Sequence, residues 1–238
     1  QDLISTPNDQ TLSYSYNASN QILTRTGSNS AYTWPQPSPA YANYTTNGLN
    51  QYPSVGGTSF SYDTRGNLTS NGTTTYAYDA YNRMKSAGTA TLSYDPASRL
   101  YQTAGAATTR FLYDGQNAIA EYDGSNALQR RFVFGPGIDE PIVWYEGSGT
   151  TDRRYLIANE QGSIIAVTNG SGAALNINSY DEYGQPASGN AGRFQFTGQM
   201  WLPEASLYNF KAREYSAALG RFMQTDPMGV NGGVNIYA

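Results

Sequence analysis

The sequence predicts an all-β chain: an antiparallel ribbon of β-hairpins that runs into a more irregular β region. Three observations lead there. First, a short unit recurs: an apolar or aromatic residue, a spacer, Tyr, an acid or amide, then an apolar residue six places after the Tyr. It reads Phe60, Tyr62, Asp63, Leu68; then Tyr76, Tyr78, Asp79, Met84; then Leu92, Tyr94, Asp95, Leu100; then Phe111, Tyr113, Asp114, Ile119. The tyrosines step by 16 residues (62 to 78 to 94) and then by 19 (94 to 113). Looser copies stand at Tyr14, Tyr16, Asn17, Ile22 and at Tyr122, Asp123, Leu128. Second, Asn20, Gly66, Asn82, Ser98, Asn117 and Asn126 stand four places after the Tyr. All but Ser98 are Gly or Asn, the residues that best tolerate left-handed backbone. Third, Tyr accounts for 21 residues while only 13% are charged, against about 25% in ordinary soluble domains. Periodicity of this kind means one supersecondary unit stacked many times.

Each position in the unit has a physical role. A spacing of two puts Phe60 and Tyr62, or Phe111 and Tyr113, on one face of a strand. The acid after Tyr bonds its own downstream backbone and starts a turn. The chain reverses at the Gly or Asn, and the next apolar residue opens the following strand. Asn71-Gly72, between Leu68 and Tyr76, is a two-residue hairpin signal, and Gly88 and Gly105 occupy comparable mid-unit positions. A single hairpin is marginal in water, and cross-strand pairs contribute only about 0.2–1 kcal/mol each. Stability must therefore come from stacking neighbours into a continuous sheet.

Three stretches follow along the chain. Residues 1–54 are irregular, with one degenerate repeat and a Pro-rich loop, Trp34-Pro35-Gln36-Pro37-Ser38-Pro39, unsuited to a central strand or helix. Residues 55–154 carry the regular ribbon. There Phe132-Val133-Phe134-Gly135-Pro136 ends one strand, and Ile138 to Tyr145 forms another. Residues 155–238 change texture. Tyr155-Leu156-Ile157-Ala158, a turn at Asn159 to Ser163, and Ile164 to Thr168 read as strand, turn, strand, with a reversal at Asn169-Gly170 or Gly172. Tyr180-Asp181-Glu182-Tyr183-Gly184 is a degenerate Tyr-acid turn. Phe194, Phe196, Trp201, Leu207, Tyr208, Phe210 and Tyr215 form the densest aromatic stretch, with one short helix expected near Pro203 to Leu207.

Composition excludes much chemistry. The chain has 238 residues and neither Cys nor His. Disulfides, thiolate nucleophiles, Ser-His-Asp catalysis and His- or Cys-ligated metal centres are ruled out. No cofactor or metal is expected. A net charge of −4 argues against binding nucleic acid, which needs clustered Lys and Arg. Arg130-Arg131 and Arg153-Arg154 read as solvated strand ends. No apolar run approaches the ~18 residues of a membrane span. Starting at Gln1, the sequence reads as a processed or excised piece, secreted or displayed at the cell surface.

The repeats resemble the Tyr-Asp (YD) repeats of Rhs proteins, toxin-complex subunits and teneurins, and the last third is similar to the Rhs-associated core. The segments that carry the likeness are Tyr180-Asp181-Glu182-Tyr183-Gly184, Phe196-Thr197-Gly198-Gln199, residues 207–215 and Gly220-Arg221-Phe222-Met223-Gln224-Thr225-Asp226-Pro227-Met228-Gly229. The tail Gly232-Gly233-Val234-Asn235-Ile236-Tyr237 also fits. The resemblance implies a β-ribbon spiralling into a hollow shell around a C-terminal toxin polypeptide, closed by a core that in many bacterial members is an aspartic self-protease. On that basis Arg213 falls on the core's catalytic arginine and Asp226 on its first aspartate. The family's second aspartate, in an Asp-Pro-x-Gly motif further on, is not in this sequence, so the chain as given is expected not to cut itself.

Aspartic proteolysis needs two carboxyls close enough to share a proton, and Arg213 would hold an ionised carboxylate or the substrate carbonyl. Asp226-Pro227 can equally start a turn, and Arg213 can equally pair with Glu214 or a backbone carbonyl. Asp63, Asp79, Asp95 and Asp114 read as turn formers. The leading function is a structural section of a toxin-enclosing shell, partnered by the toxin polypeptide and neighbouring repeats. The alternatives are an adhesive module that binds surface glycans through Trp34, Trp144 or Trp201, and a homo-oligomer or filament built through open sheet edges.

Overall fold

A computed structural model describes residues 7–35 and 42–238; the centre of the Pro-rich loop lies outside them. The protein is almost entirely antiparallel β. Eleven strands form one sheet in strict chain order, from Tyr76–Tyr78 to Ala174–Ile177. By contact the chain divides into two units, residues 1–36 with 130–198 and residues 37–129 with 199–238.

In the second unit the repeat explains the structure. Tyr62 lies opposite Leu68, Tyr78 opposite Met84 and Tyr94 opposite Leu100, each pair across a register shift. The residue six places on is therefore the direct cross-strand neighbour of the Tyr. Leu68, Met84 and Leu100 are all buried. Between the two partners the acid closes a five-residue turn. In Asp63, Asp79 and Asp123, Oδ1 accepts backbone N–H groups from two and four residues on. The residue three places after the acid takes positive φ: Gly66, Asn82, Ser98 and Asn126. The same turn occurs at Asn47, with Asn50 left-handed. The sequence concealed that copy because its Tyr stands three places before the Asn instead of one.

Tyrosine is required in these rungs, and phenylalanine would not do, because the hydroxyl is bonded. Tyr78 donates to the Leu68 carbonyl at 2.8 Å, Tyr94 to Met84 at 2.9 Å and Tyr113 to Leu100 at 2.8 Å. Each ring thus ties its strand to the start of a strand in the preceding unit. Burial pushes the Tyr78, Tyr94 and Tyr113 hydroxyls far above the usual phenol range. The turns are joined in series too. Asn67 Nδ2 donates to Asn82 Oδ1 at 3.0 Å, Arg83 to Ser98 Oγ at 3.3 Å, and Arg99 to the Gly115 carbonyl at 2.6 Å. Arg83 and Arg99 each bind their own turn acid and lie over the next rung's ring, at 4.8 Å from Tyr94 and 4.9 Å from Tyr113. Burial opposes ionisation of Asp79 and Asp95, but the arginine and backbone N–H bonds prevail and hold both carboxyls below the ordinary range.

The fourth unit departs from the expected turn. Asp114 pairs directly with Asn117, and Gly115 takes the positive φ, so Asn117 is strand and not a left-handed pivot. Gly is the cheaper left-handed residue and sits two places earlier. Asn71-Gly72 belongs to a four-residue loop bounded by the Ser70–Thr75 bridge, while two-residue loops join Val55 to Thr58, Ala87 to Ala90 and Asp114 to Asn117. Residues 203–206 form no helix. They are the loop of a hairpin whose register pairs Leu202 with Leu207, too short for a helical turn with capped ends.

In the first unit the same Asx turn recurs at Asn17, Asn159, Asn169 and Asp181, with Asn20, Gly162, Gly172 and Gly184 left-handed. At Asn169 the pivot is therefore Gly172 and not Gly170. Tyr180 repeats the rung, donating to the Ile164 carbonyl at 2.8 Å. Ile138 is 91% exposed, and the strand expected from it begins at Pro141, whose lack of an N–H suits a strand start. The paired arginines are not merely solvated ends. Arg130 and Arg154 both reach Glu146 and both lie over the Trp144 ring. Trp144 itself is only 4% exposed. Phe132 and Phe134 meet Phe194 edge-on at 4.8 and 5.2 Å.

The hydroxyl ladder is testable at one rung. Tyr78→Phe keeps the ring but strands a buried carbonyl, which costs about 1–3 kcal/mol. Urea denaturation should show a lower midpoint with an unchanged m value; an unmoved midpoint would mean that the hydroxyls do not hold the units together.

Candidate functional site

The site is built in the second unit on a four-stranded meander: Met200–Leu202, Leu207–Asn209, Glu214–Ser216 and Arg221–Phe222. Lys211, at φ +64, makes the bend that returns the chain from Phe210 to Arg213. Phe210, Tyr215 and Phe222 form a mutual aromatic cluster with centroids 5.3–5.4 Å apart. The Arg213 guanidinium lies 3.6 Å over the Phe222 ring, and that stacking fixes its direction.

Arg213 points at Asp226. Its Nη2 stands 3.0 Å from Asp226 Oδ2, with side chains only 13% and 17% exposed. Asp226 is held from three further sides. Its Oδ1 accepts the Met228 N–H at 2.7 Å, its own N–H donates to the Ile236 carbonyl at 2.8 Å, and its carbonyl accepts from Gly229. A Cβ on Gly232 would stand 2.9 Å from Asp226 Oδ2, so glycine is needed there. The two residues singled out in the sequence therefore sit side by side, and Asp226 starts a turn as well. Arg213 does not pair with Glu214. Neighbours in a strand face opposite ways, and Glu214 points into the interior.

Glu214 is the residue that sequence reasoning missed. It is 1% exposed and surrounded by neutral donors. Asn209 Nδ2 donates at 3.2 Å, Gln224 Nε2 makes a further short bond, and Tyr94 Oη, which also contacts the Met84 carbonyl, lies 2.9 Å from Oε1. Gln224 Oε1 in turn accepts the Glu214 N–H at 3.0 Å, and Met223 N–H donates to the Glu214 carbonyl. This reciprocal clasp fixes the segment carrying Asp226 two residues after Gln224, and through Tyr94 it fastens the meander to the repeat rungs. Burial raises the Glu214 pKa above the ordinary glutamate value, its hydrogen bonds only partly opposing that.

Arg221 was likewise unassigned. It is 5% exposed, lies 3.9 Å over Tyr52 and 4.2 Å over Tyr237, and donates to the Asn50 carbonyl at 2.6 Å. Tyr237 donates to the Gly66 carbonyl at 2.6 Å. The Gly-Arg-Phe element thus anchors the tail to the early turns. Its long reach, 171 residues from Arg221 to Asn50, leaves no local trace in the sequence. Tyr62, Tyr78, Tyr94 and Tyr113, with Asp63, Asp79, Asp95, Asp114 and Gly66, all belong to the repeat scaffold.

Solved structures share this architecture. The chain superposes on the crystal structure of TcdB2-TccC3-Cdc42 with a TM-score of 0.62 at 16% identity, over 96% of this chain and 16% of that one. It superposes on the Photorhabdus luminescens Tc holotoxin pore carrying a TccC3 mutation with a TM-score of 0.61 at 15% identity and the same coverage. No family model matches the chain. In sequence it is 28% identical over 195 residues to the tRNA3(Ser)-specific nuclease WapA of Bacillus spizizenii. It is 27% identical over 195 residues to the tRNA nuclease WapA of Bacillus subtilis strain 168. Each alignment takes in 75% of this chain and 8% of the relative. The fold is an antiparallel β-ribbon with a terminal meander, and the chain spans about 8% of the length of the curated relatives it matches. The chain shares the fold of these solved structures and is similar in sequence to the WapA proteins.

The Glu214 clasp has a pH signature. The folded chain holds this proton more tightly than the unfolded one. Its stabilising effect is therefore full below the unfolded value of about 4.3 and declines as pH rises from there through the raised folded value. Urea midpoints measured from about pH 4 to 8 should show the wild type losing stability relative to Glu214→Gln as pH increases. Two parallel curves would mean that Glu214 carries no shifted proton.

Proposed function

We propose that this chain is a section of an Rhs shell that encloses a toxin polypeptide of the same parent, secreted or displayed outside the cell, and that it carries one half of an aspartic self-processing site. The shell reading is supported by eleven antiparallel strands following one another in chain order. Such a ribbon lengthens by adding units and needs no second sheet to complete it. The relatives are named as tRNA nucleases, and a nuclease is one class of polypeptide that such a shell would enclose. In that scheme this chain is the container.

The observation that carries the processing half is the Arg213–Asp226 pair at 3.0 Å, braced by an aromatic ring and three backbone bonds. Asp226 takes a proton from the attacking water while Arg213 orients its carboxylate. A second carboxyl, supplied further along the parent chain, protonates the departing amide nitrogen. Glu214 does not serve as that carboxyl, because it faces the interior.

The parent protein, carried past residue 238 through the next Asp-Pro-x-Gly motif, should separate into two polypeptides on a denaturing gel, with a new N-terminus beyond that motif. Asp226→Asn should leave it full length, and Arg213→Lys should slow the cut, since lysine cannot reproduce the planar fork. Cleavage at the wild-type rate in Asp226→Asn would remove Asp226 from the chemistry.

A further inference from the structure

The turn over residues 63–67 does more than reverse its own strand. In the second unit Asn50, Asn82, Ser98 and Asn126 fill the left-handed place of the equivalent turns, each with a side chain, whereas here it is Gly66. The reason is steric and long-range. A Cβ on Gly66 would stand 2.7 Å from Thr225 Cγ2 and 2.9 Å from the Tyr237 hydroxyl oxygen. The backbone of the turn is bonded to the same two residues. The Arg65 carbonyl accepts from Thr225 Oγ1 at 3.4 Å, and the Gly66 carbonyl accepts from Tyr237. Leu68, just beyond the turn, donates its N–H to the Met223 carbonyl at 2.9 Å.

Thr225 and Tyr237 matter for what stands beside them. Thr225 precedes Asp226 and Tyr237 follows Ile236. The Asp226 N–H donates to the Ile236 carbonyl, and Arg213 Nη1 reaches the same carbonyl at 3.5 Å. One carbonyl therefore receives both members of the Arg213–Asp226 pair, and the residues flanking that contact rest on one turn. Tyr237 is fixed on every side. Its ring lies beside Arg221 and edge-on to Tyr62 at 6.2 Å. Its N–H donates to Asn235 Oδ1 at 3.1 Å, and its carbonyl accepts the Phe222 N–H at 3.0 Å. A residue held at ring, hydroxyl, N–H and carbonyl leaves the peptide before it little freedom.

We propose that the turn over residues 63–67 is the positioning platform of the Arg213–Asp226 pair, with Gly66 and Tyr237 as positioning residues that act through Thr225 and Ile236. The role rests on the processing reading of that pair. Gly66 supplies an acceptor and an open space, and Tyr237 brings the donor that fills both. Because the platform is itself a ribbon turn, the pair takes its geometry only once this repeat has folded, and cleavage follows that folding.

Cleavage of the parent, carried through the next Asp-Pro-x-Gly motif and timed well below its melting temperature, tests the role. Gly66→Asn introduces a residue that forms the same turn at 82 and 126 but fills the space. Tyr237→Phe keeps the ring and removes the donor. Each should slow the cut by about ten- to a hundredfold, since misplacing reacting groups by about 1 Å can cost about 10²-fold. Tyr113→Phe deletes a hydroxyl of the same kind, bonded to the Leu100 carbonyl, and should cleave at the wild-type rate. In the 238-residue chain, Gly66→Asn and Tyr237→Phe should speed hydrogen exchange at the Asp226 amide. The Asp79 amide, bonded to the Arg83 carbonyl, should stay protected, whereas a general loss of stability would expose both. An uncut wild-type parent would remove the processing reading and this role with it. A cut wild type with unchanged rates in Gly66→Asn and Tyr237→Phe would remove this role alone, as would equal slowing by Tyr113→Phe or equal exposure of the two amides.

Discussion

A tyrosine hydroxyl reaching back to a carbonyl of the preceding hairpin is the contact on which this architecture rests. Each hairpin alone has too little apolar area to survive in water. Its strands are short, in places two or three residues, and charge is sparse. What makes the array cohere is that every regular rung fills two needs at once. The ring covers the buried residue opposite, and the oxygen bonds the carbonyl of a buried residue in the preceding hairpin. A buried carbonyl without a partner costs about as much as a whole net hydrogen bond contributes, so the position selects Tyr over Phe. The arginine stacked on the next ring and bonded to its own turn acid adds a second, outer line of connection.

The meander makes use of the same rungs. Tyr94 serves both lines: its oxygen lies 2.9 Å from the Met84 carbonyl in the ribbon and 2.9 Å from Glu214 Oε1 in the meander, and its single proton is shared between the two contacts. Through Gln224 that contact governs the backbone on which Asp226 stands, while Phe222 governs the direction of Arg213. The Arg–Asp geometry therefore rests both on the ribbon and on the local loop that bonds Asp226 through Met228, Gly229 and Ile236. This is how a site can be placed accurately in a chain with little helix and no cross-links.

Much of this was legible because the repeat is local. The Tyr, the acid, the left-handed residue and the apolar residue six places on lie within seven positions, so spacing alone disclosed the turn and the two strands beside it, while their register came from the structure. Reading failed where a competing residue entered the window, as Gly115 displaced Asn117, and it misjudged the reversal at Asn71-Gly72 only in length, four residues in place of two. It failed also where partners are remote. Glu214 and Tyr94 are 120 residues apart, and no periodicity records such a contact. Arg213 and Asp226 were found through family likeness, since 13 intervening steps of irregular backbone carry no geometric message. The arginine pairs were misjudged because a charged strand residue was read without the tryptophan beneath it.

The turn-to-turn bonds have a consequence for how such chains change length. Asn67 meets Asn82, Arg83 meets Ser98 and Arg99 meets Gly115, at offsets of 15, 15 and 16 residues. Adding or losing one residue between two bonded turns would turn that donor to the opposite face, whereas duplicating or excising an entire unit leaves the remaining partners in phase. The 19-residue step from Tyr94 to Tyr113 keeps its rung, so a change of length is tolerated where a loop can absorb it and the bonded turns stay aligned.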